Sequence, residues 1–202
     1  MPRLIPTLPF RRQSGATMIE VLVTIFILSY GLLGLAGMLM HIMNAEMESY
    51  QRSQALILAS DMAERIIANR ANITTTNYSS AALDRSSSTT LGKDDSRTTC
   101  AALTGYDLDL CEWSLLLKGS AETSGGNKTG AMIDARGCIT RTQSPNATSG
   151  ICKPDVYRID VVWQGLAPTT APQIDCGQGD YGDDANRRAV SRVVTIGLAD
   201  CS

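Results

Sequence analysis

The chain has 202 residues, with 18 basic groups, 20 acidic groups and a single histidine. One histidine argues against a nucleophile–histidine–acid triad, and a mildly acidic chain argues against a nucleic-acid-binding face. Two Phe, two Trp and six Tyr allow only a small aromatic core, so one membrane segment would leave room for one modest globular domain.

The first fifteen residues hold Arg3, Arg11 and Arg12 and no acid, which leaves 15 basic against 20 acidic groups in the remainder, a formal −5. They end in Gly15-Ala16-Thr17-Met18-Ile19-Glu20, and residues 21–43 then run without a formal charge. A secretory signal would have an apolar core of ~7–15 residues ending at a small-x-small site. This run is 23 residues long and closes on Met40-His41-Ile42-Met43, which is no such site. A membrane anchor fits: about 20 helical residues at ~1.5 Å each cross a ~30 Å hydrocarbon layer. Arg11 and Arg12 predict a cytoplasmic N-terminus, with the remainder outside the inner membrane. His41, at the end of the run, is expected at an interface rather than as a ligand or base.

Glu20 has two readings. A glutamate in a first helical turn is comfortable beside the helix dipole, whereas one buried in lipid costs of order 2–4 kcal/mol. A cut between Gly15 and Ala16 would create an α-amino group that is protonated near neutral pH. Glu20 lies four residues further, about 6 Å along a helix axis. In helices stacked with a small axial offset, Glu20 of one chain would meet the Ala16 amine of another, which removes two expensive charges at once.

The motif Gly15-Ala16-Thr17-Met18-Ile19-Glu20-Val21-Leu22-Val23 resembles the class III signal of the type IV prepilin family. The resemblance implies that prepilin peptidase cuts after Gly15 and N-methylates Ala16, and that Glu20 acts in assembly. The family's usual first residue is Phe, where this chain has Ala16. The segment from Ile27-Leu28-Ser29-Tyr30-Gly31 to Ala63-Glu64-Arg65-Ile66-Ile67-Ala68-Asn69-Arg70 resembles the minor pilins of the PilV group (type IV pilus modification protein). The implied partners are the peptidase, other minor pilins, the major pilin and the inner membrane. The implied fold is α+β and pilin-like, with a long N-terminal helix on a small antiparallel sheet. The implied location is the inner membrane, single pass with the head in the periplasm, and then the filament. Four segments follow: a cleaved leader 1–15, a membrane or filament-core helix 16–43, an amphipathic half 44–70 and a head 71–202.

Residues 17–69 read as one helix. Gly31, Gly34 and Gly37 recur every third residue, either as a small-residue packing face or as local weakness. The resemblance favours weakness, since this region of a pilin can melt on entering a filament. Ala55, Leu58, Ala59, Met62 and Ile66 form one stripe, with Asp61 and Arg65 as an i,i+4 ion pair on the other side. Residues 71–99 read as loop, 107–118 as a short helix and 119–130 as loop. The run Gly125-Gly126-Asn127-Lys128-Thr129 is not a phosphate loop, because Asn127 separates Lys from Gly. Strands are predicted over 131–142, 156–163 and 189–198. Tyr157, Ile159, Val161 and Trp163 alternate with outward Arg158 and Asp160, and Val194, Ile196 and Leu198 share a face. Residues 168–186 read as a long exposed loop stapled by Cys176.

Cys100, Cys111, Cys138, Cys152, Cys176 and Cys201 all follow the apolar run, and none forms a Cys-x-x-Cys. An even count beyond a membrane segment predicts disulfides in an oxidising compartment. Sequential pairing is expected: Cys100–Cys111, Cys138–Cys152 and Cys176–Cys201. Asp180, Asp183 and Asp184 lack the alternating spacing of a calcium loop. No cofactor, metal, nucleic-acid partner or enzymatic activity is expected. Two alternatives stand beside a minor pilin of a type IV pilus: a type II secretion pseudopilin, and an adhesive or DNA-binding tip module using residues 168–186.

Overall fold

The computed structural model describes residues 15–70, 78, 90–119 and 132–198, with the backbone of 123–124 and 127–128. The leader arginines, most of the 71–99 loop and Cys201 lie outside the described residues. The chain forms two compact units, Met1–Asn44 and Ala45–Ser202, and helix α1 (Met18–Ala68) contributes to both.

In the first unit α1 starts where the backbone N–H groups of Glu20 and Val21 donate to the Thr17 carbonyl at 3.0 and 3.3 Å. Its apolar side chains are exposed throughout, and its most apolar window has a mean hydropathy of 2.2. Thr24 and Ser29 donate to the carbonyls of Val21 and Ile25, each at 2.8 Å, so these hydroxyls are satisfied inside the helix. It is the one described helix long and apolar enough to cross a membrane.

The second unit is α+β. After α1 come β1 (Leu91–Gly92), α2 (Gly105–Leu117), a small hairpin of β2 (Thr123–Ser124) and β3 (Asn127–Lys128), then β4 (Ile133–Gln143), β5 (Asp155–Gln164) and β6 (Arg187–Ile196). The main sheet has the order β1-β4-β5-β6 and is antiparallel throughout. The predicted stripe closes one face: Ala55, Ala59, Met62 and Ile66 are buried, Leu58 is partly buried, and Ala63 joins them, against Ile139, Tyr157, Ile159, Val161, Trp163, Val190, Val194 and Ile196. Gln51 is also buried in the stripe. Each large buried side chain contributes roughly 1.5–3 kcal/mol of apolar transfer.

Helix α2 covers the same core near β1 and β4. Trp113 is fully buried, and its indole N–H donates to the Leu58 carbonyl at 2.8 Å. The Trp113 ring lies so close to β4 that a Cβ at Gly137 would collide with it. Gly92 (φ +95°) faces the Ala135 carbonyl with no room for a side chain, so β1 can approach β4 only with glycine there.

Three expectations change. Among the described residues two disulfides join described partners, Cys100–Cys111, which follows the sequential rule, and Cys138–Cys176, which does not. Cys138 sits mid-strand, and the five residues on to Gln143 span roughly 16 Å at ~3.3 Å each. Cys152 lies beyond that, past a hairpin extended by the Asn146↔Lys153 bridge, out of disulfide reach of Cys138. Cys152 is itself disulfide-bonded. Second, residues 168–186 are not simply an exposed loop. Cys176 and Tyr181 pack with Val162, Cys138, Ile174 and Ala189 into a second core on the sheet's outer face. Third, Asp160 does not point to solvent. It is fully buried, held by Arg158 at 2.9 Å and by the Ser191 hydroxyl at 2.5 Å. β5 is an inner strand covered on both faces, and the alternation expected of a one-sided sheet fails there. Val194 and Ile196 share the buried face as expected, while Leu198 falls beyond the strand and is half-buried.

Candidate functional site

Gly15, Ala16 and Thr17 precede α1 in irregular, exposed backbone, and Glu20 lies in its first turn, also exposed. The Gly15–Ala16 peptide bond is therefore accessible and outside regular secondary structure. Glu20 follows Ala16 by four residues, with the first helical hydrogen bonds between them. The arrangement joins an exposed irregular peptide, a first-turn carboxylate and an uninterrupted apolar helix within one short segment. Phe26 and Tyr30 stack edge-to-face one turn apart at 4.7 Å.

Gly31, Gly34 and Gly37 all lie within α1, and a Cβ built at any of them would meet nothing within 4 Å. Among the described residues no packing calls for glycine there. His41 is exposed on the same helix.

The far end of α1 is tied down electrostatically. Arg65 contacts Asp61 at 2.9 Å, as its spacing predicts, and also Glu112 at 2.6 Å and Asp109 at 3.3 Å on α2. Burial works to lower the Arg65 pKa, but hydrogen bonds to Glu112 and Asp61 outweigh it and raise the value overall. Asn69 and the Tyr78 hydroxyl donate to Asp109 at 2.6 and 3.0 Å. Burial and the Asp109 contact raise the Tyr78 pKa.

The 168–186 segment is fixed by an arginine that sequence reasoning passed over. Arg187 is buried and donates to both Asp184 oxygens and to the carbonyls of Ile174 and Cys176, each at 2.7 Å, and to that of Pro172 at 3.1 Å. Asp184 is thereby committed, and Arg187 holds its pKa below the ordinary carboxylate range. Asp183 caps the short 3₁₀ helix Asp184–Asn186 through the Ala185 N–H, and Asp180 lies 3.4 Å from Arg136. Arg136 also pairs with Asp94 at 2.5 Å and stacks 4.9 Å over the Tyr181 ring. Burial pushes the Tyr181 hydroxyl up to about 12. These aspartates are thus engaged by arginines and a backbone cap.

A helix half exposed in apolar side chains, continuing into a half that backs a small antiparallel sheet, defines a pilin-like α+β protein. The family model for the type IV pilin Tt1218 matches residues 37–111, from the end of the apolar run through the first half of α2. That match supports the type IV pilin family, a family of structural subunits, and it lies wholly outside the Gly15–Glu20 motif. No curated protein and no solved structure matches the chain.

Proposed function

We propose that this chain is a minor pilin of a type IV pilus, of the PilV kind, and that it works by assembly rather than by catalysis. Prepilin peptidase cuts between Gly15 and Ala16 and methylates the Ala16 nitrogen. Arg11 and Arg12 keep the leader cytoplasmic until then, so that the head folds in the periplasm, where its cysteines oxidise. The new Ala16 cation of one subunit meets Glu20 of another as the apolar helices bundle. Glycines 31, 34 and 37 let that helix adapt on leaving lipid, and the head contacts other minor pilins and the major pilin. The outcome is pilus initiation, and through it twitching motility or adhesion.

The observation that carries this reading is the exposed, unstructured Gly15–Ala16 bond directly before a helix with Glu20 in its first turn. The test is Gly15→Ala. It is expected to leave a full-length precursor in the membrane and to reduce piliation; normal processing with normal pili would reject the assignment. Deleting the chain should remove surface pili and leave protein secretion intact. The reverse outcome would make it a type II secretion pseudopilin.

A further inference from the structure

We propose that the free edge of β6 takes up an extended strand from a different pilin subunit, one that sets an acidic residue opposite Arg192. This rests on the reading of the chain as a pilin, and it names the surface its head uses and the chemistry of the partner segment.

The two edges of the main sheet are finished differently. β1 is two residues long, and its Gly92 N–H donates to the Ser114 hydroxyl of α2 at 3.0 Å, so a side chain closes that edge. β6 is ten residues long and pairs with β5 in unbroken register from Arg187 to Ile196. An antiparallel ladder engages alternate residues of each strand, so about half of the β6 backbone groups point away from β5. Among the described residues, no backbone hydrogen bond from outside the ladder reaches residues 188–196. Ser191, Arg192, Val193 and Thr195 are exposed, Val193 by 60 %. Long edges are commonly blunted by proline, lysine or a bulge. β6 has none of these, and Val190, Val193, Val194, Thr195 and Ile196 are all β-branched. It is built to continue the sheet.

Charge selects the occupant. Arg187 and Arg188 turn inward to Asp184 and Glu48. Arg192 donates to the Ser60 hydroxyl at 2.5 Å and, among the described residues, meets no carboxylate. The residue directly opposite it on an added strand would bring its Cβ to about 4.5–5.5 Å, where a carboxylate is favourable and a cation is not. The β6 edge of a second copy cannot supply one, because Arg187–Ile196 contains no acid. Val193 faces the other side of the sheet, and the residue opposite it would be apolar. The incoming strand therefore carries an acidic and an apolar residue side by side.

Photo-crosslinking of the full chain in piliated cells tests this. Benzoylphenylalanine stands in place of Val193 or Thr195, with exposed Ile151 as the control position. Both probes should label one pilin, at sites two residues apart beside an acidic residue. Arg192→Glu should lower the yield at least tenfold with the head's unfolding temperature unchanged, and reversing the charge of the partner's acid should restore it. Adducts with lipid or a second copy, labelled sites at helical spacing, full yield in Arg192→Glu, or labelling no stronger than at Ile151 would each overturn the proposal. Cleavage after Gly15, followed in the same cells, keeps the two readings apart. Failed labelling with normal cleavage and pili rejects the edge pairing alone, whereas labelling of an uncut wild-type chain rejects the prepilin assignment alone.

Discussion

The two units differ in where their information lies. In the described part of the first unit, residues 15–44, every residue is exposed, and the motif proposed to act there is an order along the chain: Gly15, then Ala16, then Glu20, then uncharged helix. In Ala45–Ser202 the important partners are distant in sequence: Trp163 with Gln51, Arg65 with Glu112, Cys138 with Cys176. The first unit keeps its apolar surface outside, as the proposed assembly requires, whereas the second buries its own. The contrast teaches that substitutions in the two units should separate cleanly between assembly and stability.

The largest expected break of that contrast is in the core of the head. Trp113→Ala removes a fully buried ring and an indole hydrogen bond to α1. It should destabilise the head by about 3–5 kcal/mol, a large part of a typical domain's stability. Thermal unfolding of the purified protein reads this directly. Removing the Cys138–Cys176 bond comes next. It closes a separation of 38 residues, for which loop-closure entropy gives roughly 4 kcal/mol, against roughly 3 kcal/mol for Cys100–Cys111 at 11. Cys138→Ser/Cys176→Ser should therefore lower the midpoint in denaturant more than Cys100→Ser/Cys111→Ser.

A third effect is set by acid. Burial alone would raise the Asp95 pKa, but bonds from Arg97 and Ser114 outweigh it and bring the value down to about 2. A carboxylate depressed in the folded state stabilises above its unfolded pKa of ~3.9, and that contribution disappears as pH falls toward 2. At ~1.4 kcal/mol per pKa unit this shift corresponds to at most about 2 kcal/mol. Unfolding followed between pH 4 and pH 2 should show this loss in the wild type and a flatter profile in Asp95→Asn. The smallest effect belongs to the exposed helix. Gly34→Ala should strengthen α1 locally by about 1 kcal/mol and leave the head's unfolding temperature unchanged; circular dichroism of the full-length chain in micelles checks the first, and calorimetry the second.

The same contrast explains how much was legible in the sequence. α1 was readable because Ala55, Ala59, Met62 and Ile66 keep a 3.6-residue period, and β5 because Tyr157 to Trp163 alternate. The motif around Gly15 and Glu20 is read along the chain, so no fold is needed to see it. Beyond Cys100–Cys111, disulfide pairing was not legible, because the register of β4 against β5 and the path of residues 168–186 decide which cysteines meet. Nor was the fate of Asp160, Arg187 or Gln51. Asp160 and Gln51 are buried against Ser191 and Trp163, far away in sequence, and Arg187 is buried by the path of residues 172–184 around it; composition carries no trace of these partners. Gln51 left one faint signal, a polar position on the helical stripe exactly one turn before Ala55 in spacing but not in chemistry.

The claim on which the rest depends is that Glu20 answers a cation made by cleavage. The direct measurement is the amount of chain recovered in sheared filaments relative to the membrane pool, for the wild type and for Glu20→Ala. The account predicts at least a tenfold fall in filament recovery, with membrane level, cleavage after Gly15 and the head's unfolding temperature unchanged. Equal recovery of Glu20→Ala and wild type would contradict it and leave α1 as a plain membrane tether.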